Sequence, residues 1–267
     1  MAAGVKVTQL AKAAPPAQAR ATVIHLYGVT KAPGPSPDLF RRLKGVDGAA
    51  PVEALDCAGL VCWISRVLEA EFAQNLSENM QNLDWLAGAT TRHQQVVSAI
   101  AQAADVLPAR FGIEFLNEKS LLAHVESRKS VLDADFNRIA GKEEWGVKVF
   151  ALPIPAPVSK KKIRTGKEYL EAKSALVRRA VQRSAPELVQ FAKALELVAD
   201  DVAEGGKFAA TRRDLEFHKT ILLKRKDRKK LESLARSYSR KWKDQRRIEC
   251  TGPWPPFSFV SRTEPSE

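Results

Sequence analysis

The sequence predicts an α+β protein of two domains: an N-terminal domain in the manner of a ferredoxin-like fold, a smaller and more helical α+β domain, and an extended C-terminal tail. Three observations lead there. Alternating β-branched runs are interspersed with apolar stripes of helical period, and a proline- and lysine-rich stretch over 151–164 interrupts both patterns. Near its end the chain carries Gly252-Pro253-Trp254-Pro255-Pro256-Phe257-Ser258-Phe259-Val260, which no helix or central strand accommodates. At 267 residues there is enough chain for two cores, and 45% hydrophobic with 28% charged residues is the composition of an ordinary soluble globular protein.

Residues 1–21, rich in Ala and Pro, read as a disordered tail, with a transit peptide as the alternative, and the N-terminal domain spans 22–150. Its first strand covers 22–29 and exits into a Pro/Gly loop over 33–37. Residues 52–55 and 60–65 form a hairpin turned by Cys57-Ala58-Gly59. From Ser77, the expected N-cap, the period changes: Leu83, Leu86, Thr90, His93, Val97, Ile100 and Ala104 make one helical stripe, ending near Asp105 ahead of Pro108. Residues 110–115 alternate as a strand, Leu122, Val125, Leu132, Phe136 and Ile139 mark a second helix, and 145–150 is a further strand. This order suits an antiparallel sheet with helices on one face.

The three prolines and three lysines of 151–164 extend the backbone and repel one another, which places the linker there. The C-terminal domain follows over 165–251. Tyr169, Leu170, Leu176, Val177 and Val181 give one helix. Leu188, Phe191, Leu195, Val198 and Val202 continue the period, with Pro186 between them as a kink or as the first residue of a new helix. Gly205-Gly206 ends the run, 217–223 is a strand, 228–242 a basic helix with Leu231, Leu234, Ala235 and Tyr238 inward, and 246–251 the last strand.

The tail, 252–267, is extended, and its proline-fixed part, 252–260, presents Trp254, Phe257 and Phe259 as an apolar edge that needs a cover. A clasp closing one domain onto the other is the preferred reading, and a hook for another molecule is the alternative. Arg110-Phe111-Gly112 reads as a buried strand with Gly for close packing, Arg110 and Phe111 being secondary contact candidates.

Charge is concentrated. Between 224 and 247 stand twelve basic residues against three acids, the densest group being Lys224, Arg225, Lys226, Arg228, Lys229 and Lys230, so this segment carries most of the net +12. Such a face attracts a polyanion or an acidic protein surface, or simply solvates a helix. RNA readout by a ferredoxin-like sheet needs paired aromatics in a motif that is absent, so nucleic acid is not the expected partner.

No catalytic, cofactor or metal site is expected. The four histidines, at 25, 93, 124 and 218, lie on different elements without an H-E-x-x-H pattern, and His93 on its inner stripe reads as a hydrogen-bonded packing residue. Gly205-Gly206-Lys207 and Gly166-Lys167 lack the remainder of a phosphate loop, and no nucleophile elbow occurs. Cys57, Cys62 and Cys250 are odd in number, so reduced thiols are expected rather than disulfides, with Cys57 and Cys62 as buried structural thiols rather than zinc ligands. Apolar runs such as 58–64 are far below the roughly 18 residues of a membrane span.

Several unusual strings occur in fixed order: Leu26-Tyr27-Gly28-Val29; Leu83-Asp84-Trp85-Leu86; Val106-Leu107-Pro108-Ala109-Arg110-Phe111-Gly112; Glu144-Trp145-Gly146-Val147-Lys148; Gly166-Lys167-Glu168-Tyr169-Leu170; and the terminal proline string. Over about 22–260 they resemble the GvpF/GvpL family of gas vesicle proteins, with Ala109, Ile113 and Phe257 where Leu, Thr and Tyr are usual. The resemblance implies a modified ferredoxin-like N-terminal domain, an α+β C-terminal domain and a C-terminal tail. It also implies an accessory or minor structural role without catalysis, at the gas vesicle within the cytoplasm. The implied partners are the small hydrophobic shell protein and other gas vesicle accessory proteins. The alternative function is a basic RNA-binding or adaptor protein using the 224–247 segment.

Overall fold

The computed structural model describes residues 21–153, 165–167, 170, 174, 185–205 and 214–261. They build two antiparallel sheets, each with its own core. The centre of the first is β1 (Thr22–Lys31), in which every residue from 23 to 30 is buried. A bulge between Leu26 and Gly28 shifts the alternation, so Ile24, Leu26 and Val29 face one core while Val23 and Tyr27 face another. Beside it lie β2 (Glu53–Cys57) and β3 (Leu60–Leu68) on one side, and β4 (Val106–Pro108) and β5 (Glu114–Phe115) on the other.

The hairpin between β2 and β3 is turned by Ala58 and Gly59, both left-handed at φ 56° and 81°. Gly tolerates this conformation, whereas Ala pays a steric cost of about 1 kcal/mol. Ala58→Asn, the residue such two-residue turns favour, is therefore expected to stabilise the fold by about 0.5–1 kcal/mol, read as a higher midpoint in urea unfolding.

Helices cover both faces of this sheet, not one as expected, because β1 is apolar on both sides and leaves neither free for water. One face receives α3 (Glu118–Ser127) and α4 (Lys129–Ile139) through Leu121, Val125, Phe136 and Ile139. The other receives α2 (Leu83–Ala103) through Ala89, Val96, Val97 and Ile100. The cap of α2 is Asn82, whose side-chain oxygen accepts from the N–H groups of Asp84 and Trp85; Ser77 instead lies inside a separate turn, α1 (Leu76–Asn79). The single helix expected over 122–139 breaks at Arg128, which leaves helical geometry at φ −107°, ψ 7°. The expected strand over 110–115 shrinks to β5, since Phe111 and Gly112 form a turn with Gly112 at φ +88°.

The larger correction concerns 145–150. This strand was expected to close the first domain at residue 150, but it lies in β6 (Lys142–Ala151), which pairs with β8 (Leu215–Lys224) and β9 (Arg246–Trp254). The second sheet runs β7-β8-β6-β9, with β7 (Asp201–Glu204) at its edge. The change of sheet therefore falls between Ile139 and Lys142, ahead of the 151–164 stretch. A strand's apolar pattern records that it is buried between neighbours, but not which neighbours. Likewise α5 (Ala185–Glu196), with Pro186 in its first turn, stops before Val198 and Val202, and the latter belongs to β7.

Phe191 and Leu195 of α5, together with Leu231 of α6 (Arg228–Lys241) and Trp242, pack on Val147, Val149, Ile221 and Leu223. Arg246 is enclosed beneath them, paired with Glu187 at 2.7 Å and Glu216 at 2.5 Å, its guanidinium 5.1 Å from the Trp242 ring centre. The linker residues 154–164 and most of the helix expected over 169–181 lie outside the described residues.

Candidate partner-binding site at the domain junction

Trp254 ends β9, opposite Glu144 of β6, and the chain then turns back over the first domain. Pro255 and Pro256 are buried, Phe257 packs against the core around Tyr27 and Trp63, Phe259 is 3% exposed, and Val260 packs against the opposite core. Polar bonds fix this path. The N–H and hydroxyl of Ser258 donate to the two Glu144 oxygens at 2.8 and 2.9 Å, and those of Ser261 donate to Asp135 at 2.8 and 3.2 Å. Arg138 donates to the Phe259 carbonyl at 3.3 Å. Burial raises the Glu144 carboxyl above its usual range, against which the Ser258 bonds act. Of the three tail aromatics expected to make contacts, Phe257 and Phe259 thus touch this chain, while Trp254 stays 45% exposed.

The basic segment begins at the same junction. Arg225 donates to Asp105 at 2.6 Å, and Asp105 also accepts the Gly141 N–H at 2.9 Å. Arg228 grips Glu143 with a fork of 3.0 and 2.8 Å, beneath the Trp145 ring at 5.7 Å. Burial alone would raise the Glu143 carboxyl, but the bonds from Arg228 and Trp145 hold it below its ordinary range. Lys224 pairs with Asp200 at 3.1 Å and Lys230 with Asp227 at 2.8 Å. Lys226 and Lys229 are exposed and have no ion pair among the described residues. The expected cationic face is therefore divided: four of its six members hold carboxylates of this chain, and two remain open to solvent.

Between these groups lies a crevice of about 240 Å³, bounded by Ala101, Ile139, Lys142, Arg225, Arg228 and the 253–256 segment with Trp254. It is mixed in character, with a proline–tryptophan wall facing three cations and the carboxylates of Asp105 and Glu143. Sequence reading singled out Trp254, Arg225 and Arg228 but could not bring them together, nor find Lys142 and Asp105, because the junction joins segments more than a hundred residues apart.

Arg110 and Phe111 lie elsewhere. Arg110 is exposed beside the turn, and Phe111 places its ring 5.9 Å from those of both His25 and His93. These histidines form a buried chain: Glu114 to His25 Nδ1 at 2.6 Å, His25 Nε2 to His93 Nδ1 at 2.8 Å, and His93 Nε2 to the Ala109 carbonyl at 3.1 Å. The carbonyl only accepts, so His93 Nε2 carries a hydrogen, its neutral Nδ1 accepts from His25, and Glu114 donates to His25. Burial enforces the neutral forms, lowering His25 and His93 to about 3 and raising Glu114 to about 9. Among the described residues no three His, Cys, Asp or Glu side chains converge to hold a metal, and Cys57, Cys62 and Cys250 are unbridged.

The family model of the gas vesicle synthesis protein GvpL/GvpF matches residues 23–261. The chain belongs to the GvpL/GvpF family. This GvpL/GvpF protein is 28% identical over 130 residues to gas vesicle protein L of Streptomyces sp. (strain CB03234), an alignment covering 46% of this chain and 49% of the relative, about half its length. In fold it is similar to the crystal structure of gas vesicle protein GvpF from Anabaena sp. PCC7120, with TM-score 0.65 and 19% identity over 92% of this chain and 99% of that one. The GvpF structure from Microcystis aeruginosa gives 0.62 and 18% identity over 90% and 99%. The α+β fold and the family expected from the sequence strings are thus both established for this GvpL/GvpF protein, whose family is not a known family of enzymes.

Proposed function

We propose that this protein is an accessory or minor structural component that binds the small hydrophobic shell protein, and other gas vesicle proteins, during assembly of the buoyancy organelle. Its family is one of gas vesicle proteins, and the observation that carries the binding reading is the half-exposed Trp254 that lines the junction crevice. A tryptophan that the fold positions but does not cover has the size and low flexibility of an interface anchor. A shell subunit with a water-repelling face aggregates before assembly unless a partner shields it, and an anchor of this kind would contribute to that shield.

Co-expression with the shell protein, followed by co-purification at low and high salt, tests the reading. Retention of both proteins at low salt, and in reduced amount at high salt, is expected of an apolar contact flanked by cations, whereas retained nucleic acid without shell protein would overturn it. Trp254→Ala should weaken capture about tenfold or more, as removal of a central aromatic does, while its half-exposed position leaves the melting temperature within about 2 °C.

A further inference from the structure

Resting on that partner-binding reading, we propose that the junction crevice takes an acidic segment of the partner protein, seating one apolar side chain against Trp254 and the neighbouring prolines and a carboxylate on Lys142, Arg225 and Arg228. The crevice, at about 240 Å³, is smaller than the roughly 300–1,000 Å³ of small-molecule sites and suits a side chain. Lys142 is partly buried in its wall, and its side chain has no hydrogen bond or ion pair among the described residues. Arg225 spends only Nη2 on Asp105, and Arg228 spends Nε and Nη2 on Glu143, so each keeps N–H donors without a partner among the described residues.

Three cations with unused donors, facing an apolar wall, complement a carboxylate beside a hydrophobic residue. Lys226 and Lys229, the exposed unpaired cations next in sequence to Arg225 and Arg228, extend the positive potential beyond the crevice and suit further acids along the segment. Asp105 and Glu143 in the same walls oppose a continuous phosphate backbone, which favours a protein segment over nucleic acid.

The test uses the full chain and a fluorescein-labelled Glu-Glu-Leu-Glu-Glu peptide, with a Lys-Lys-Leu-Lys-Lys peptide as control. Binding of the acidic peptide is expected, weakening as salt rises. Lys142→Glu should reduce its affinity about tenfold or more, while Lys142→Arg retains it. Because the Lys142 side chain has no partner among the described residues, both variants are expected to fold.

Equal affinity in Lys142→Glu, or displacement of the peptide by a lower concentration of single-stranded oligonucleotide, overturns the proposal. Shell-protein capture measured in parallel separates the two claims. Capture that persists undiminished in Lys142→Glu overturns the acidic-segment assignment and leaves the function standing. No capture by the unaltered chain overturns the function, while the peptide still decides the crevice.

Discussion

Ending the chain after Pro256 is expected to lower the melting temperature by about 10 °C and to expose apolar surface that binds a hydrophobic dye. Phe259 is 3% exposed, and emptying such a site by substitution alone costs about 3–5 kcal/mol. Truncation also removes the Ser258 and Ser261 donors from Glu144 and Asp135, leaving two carboxylates that are 8% and 5% exposed without those partners. That penalty is offset by the freedom the released residues regain, so the net loss is about 4 kcal/mol. At roughly 2–4 °C per kcal/mol for a chain of this size class, the shift is large enough for calorimetry to read directly. A melting temperature unchanged by truncation, with partner capture lost, would make 257–261 a hook instead of a clasp.

The second large effect is in the pH dependence of stability, where Glu114→Gln should remove the alkaline decline. Glu114 holds its proton up to about 9 in the folded state, against 4.5 for the ordinary side chain. The unfolded chain therefore releases this proton first, and the stability from the neutral acid is lost as pH rises from 4.5 through about 9.

His25 and His93 act in the opposite sense. Folded, they stay neutral down to about 3, against 6.5 ordinarily, so their contribution is complete above 6.5 and declines as pH falls toward 3. Between 4.5 and 6.5 the gain from two histidines outweighs the loss from one carboxyl, so maximum stability from this chain of groups lies near pH 6.5. A Gln amide donates to His25 Nδ1 as the protonated acid does, but it has no proton to lose. The variant is expected to be more stable than the parent by up to about 5 kcal/mol at pH 8 and to keep the acid limb. Urea midpoints measured from pH 4 to 9 check this, and an alkaline limb that persists in Glu114→Gln would place its origin in other groups.

Much of the fold was legible because short-range chemistry dictates it. The alternation of Val23, Ile24 and Leu26, the hairpin turn at Cys57-Ala58-Gly59, and the stripe from Leu83 to Ile100 each report a local period or turn. The misplaced β6 and the twofold covering of the first sheet were not legible in this way. A strand such as Lys142–Ala151 can pair in either sheet without changing its own pattern. At the candidate site, Trp254 and the 224–230 cations stood out by residue type, but their division into paired and unpaired members did not. Asp105, Glu143, Asp200 and Asp227, which divide them, come from four places in the chain.

The sequence by itself determined the α+β class, most elements and, through the ordered strings from Leu26 to Val260, the family, since these depend on residue identity and short spacing. Only the tertiary structure decided which sheet β6 joins, that Phe257 and Phe259 turn inward while Trp254 stays half-exposed, and that Lys142 stands unpaired beside Arg225 and Arg228. The physical reason is common to all three. Burial and charge pairing depend on groups brought together from distant parts of the chain, and a local pattern carries no record of them.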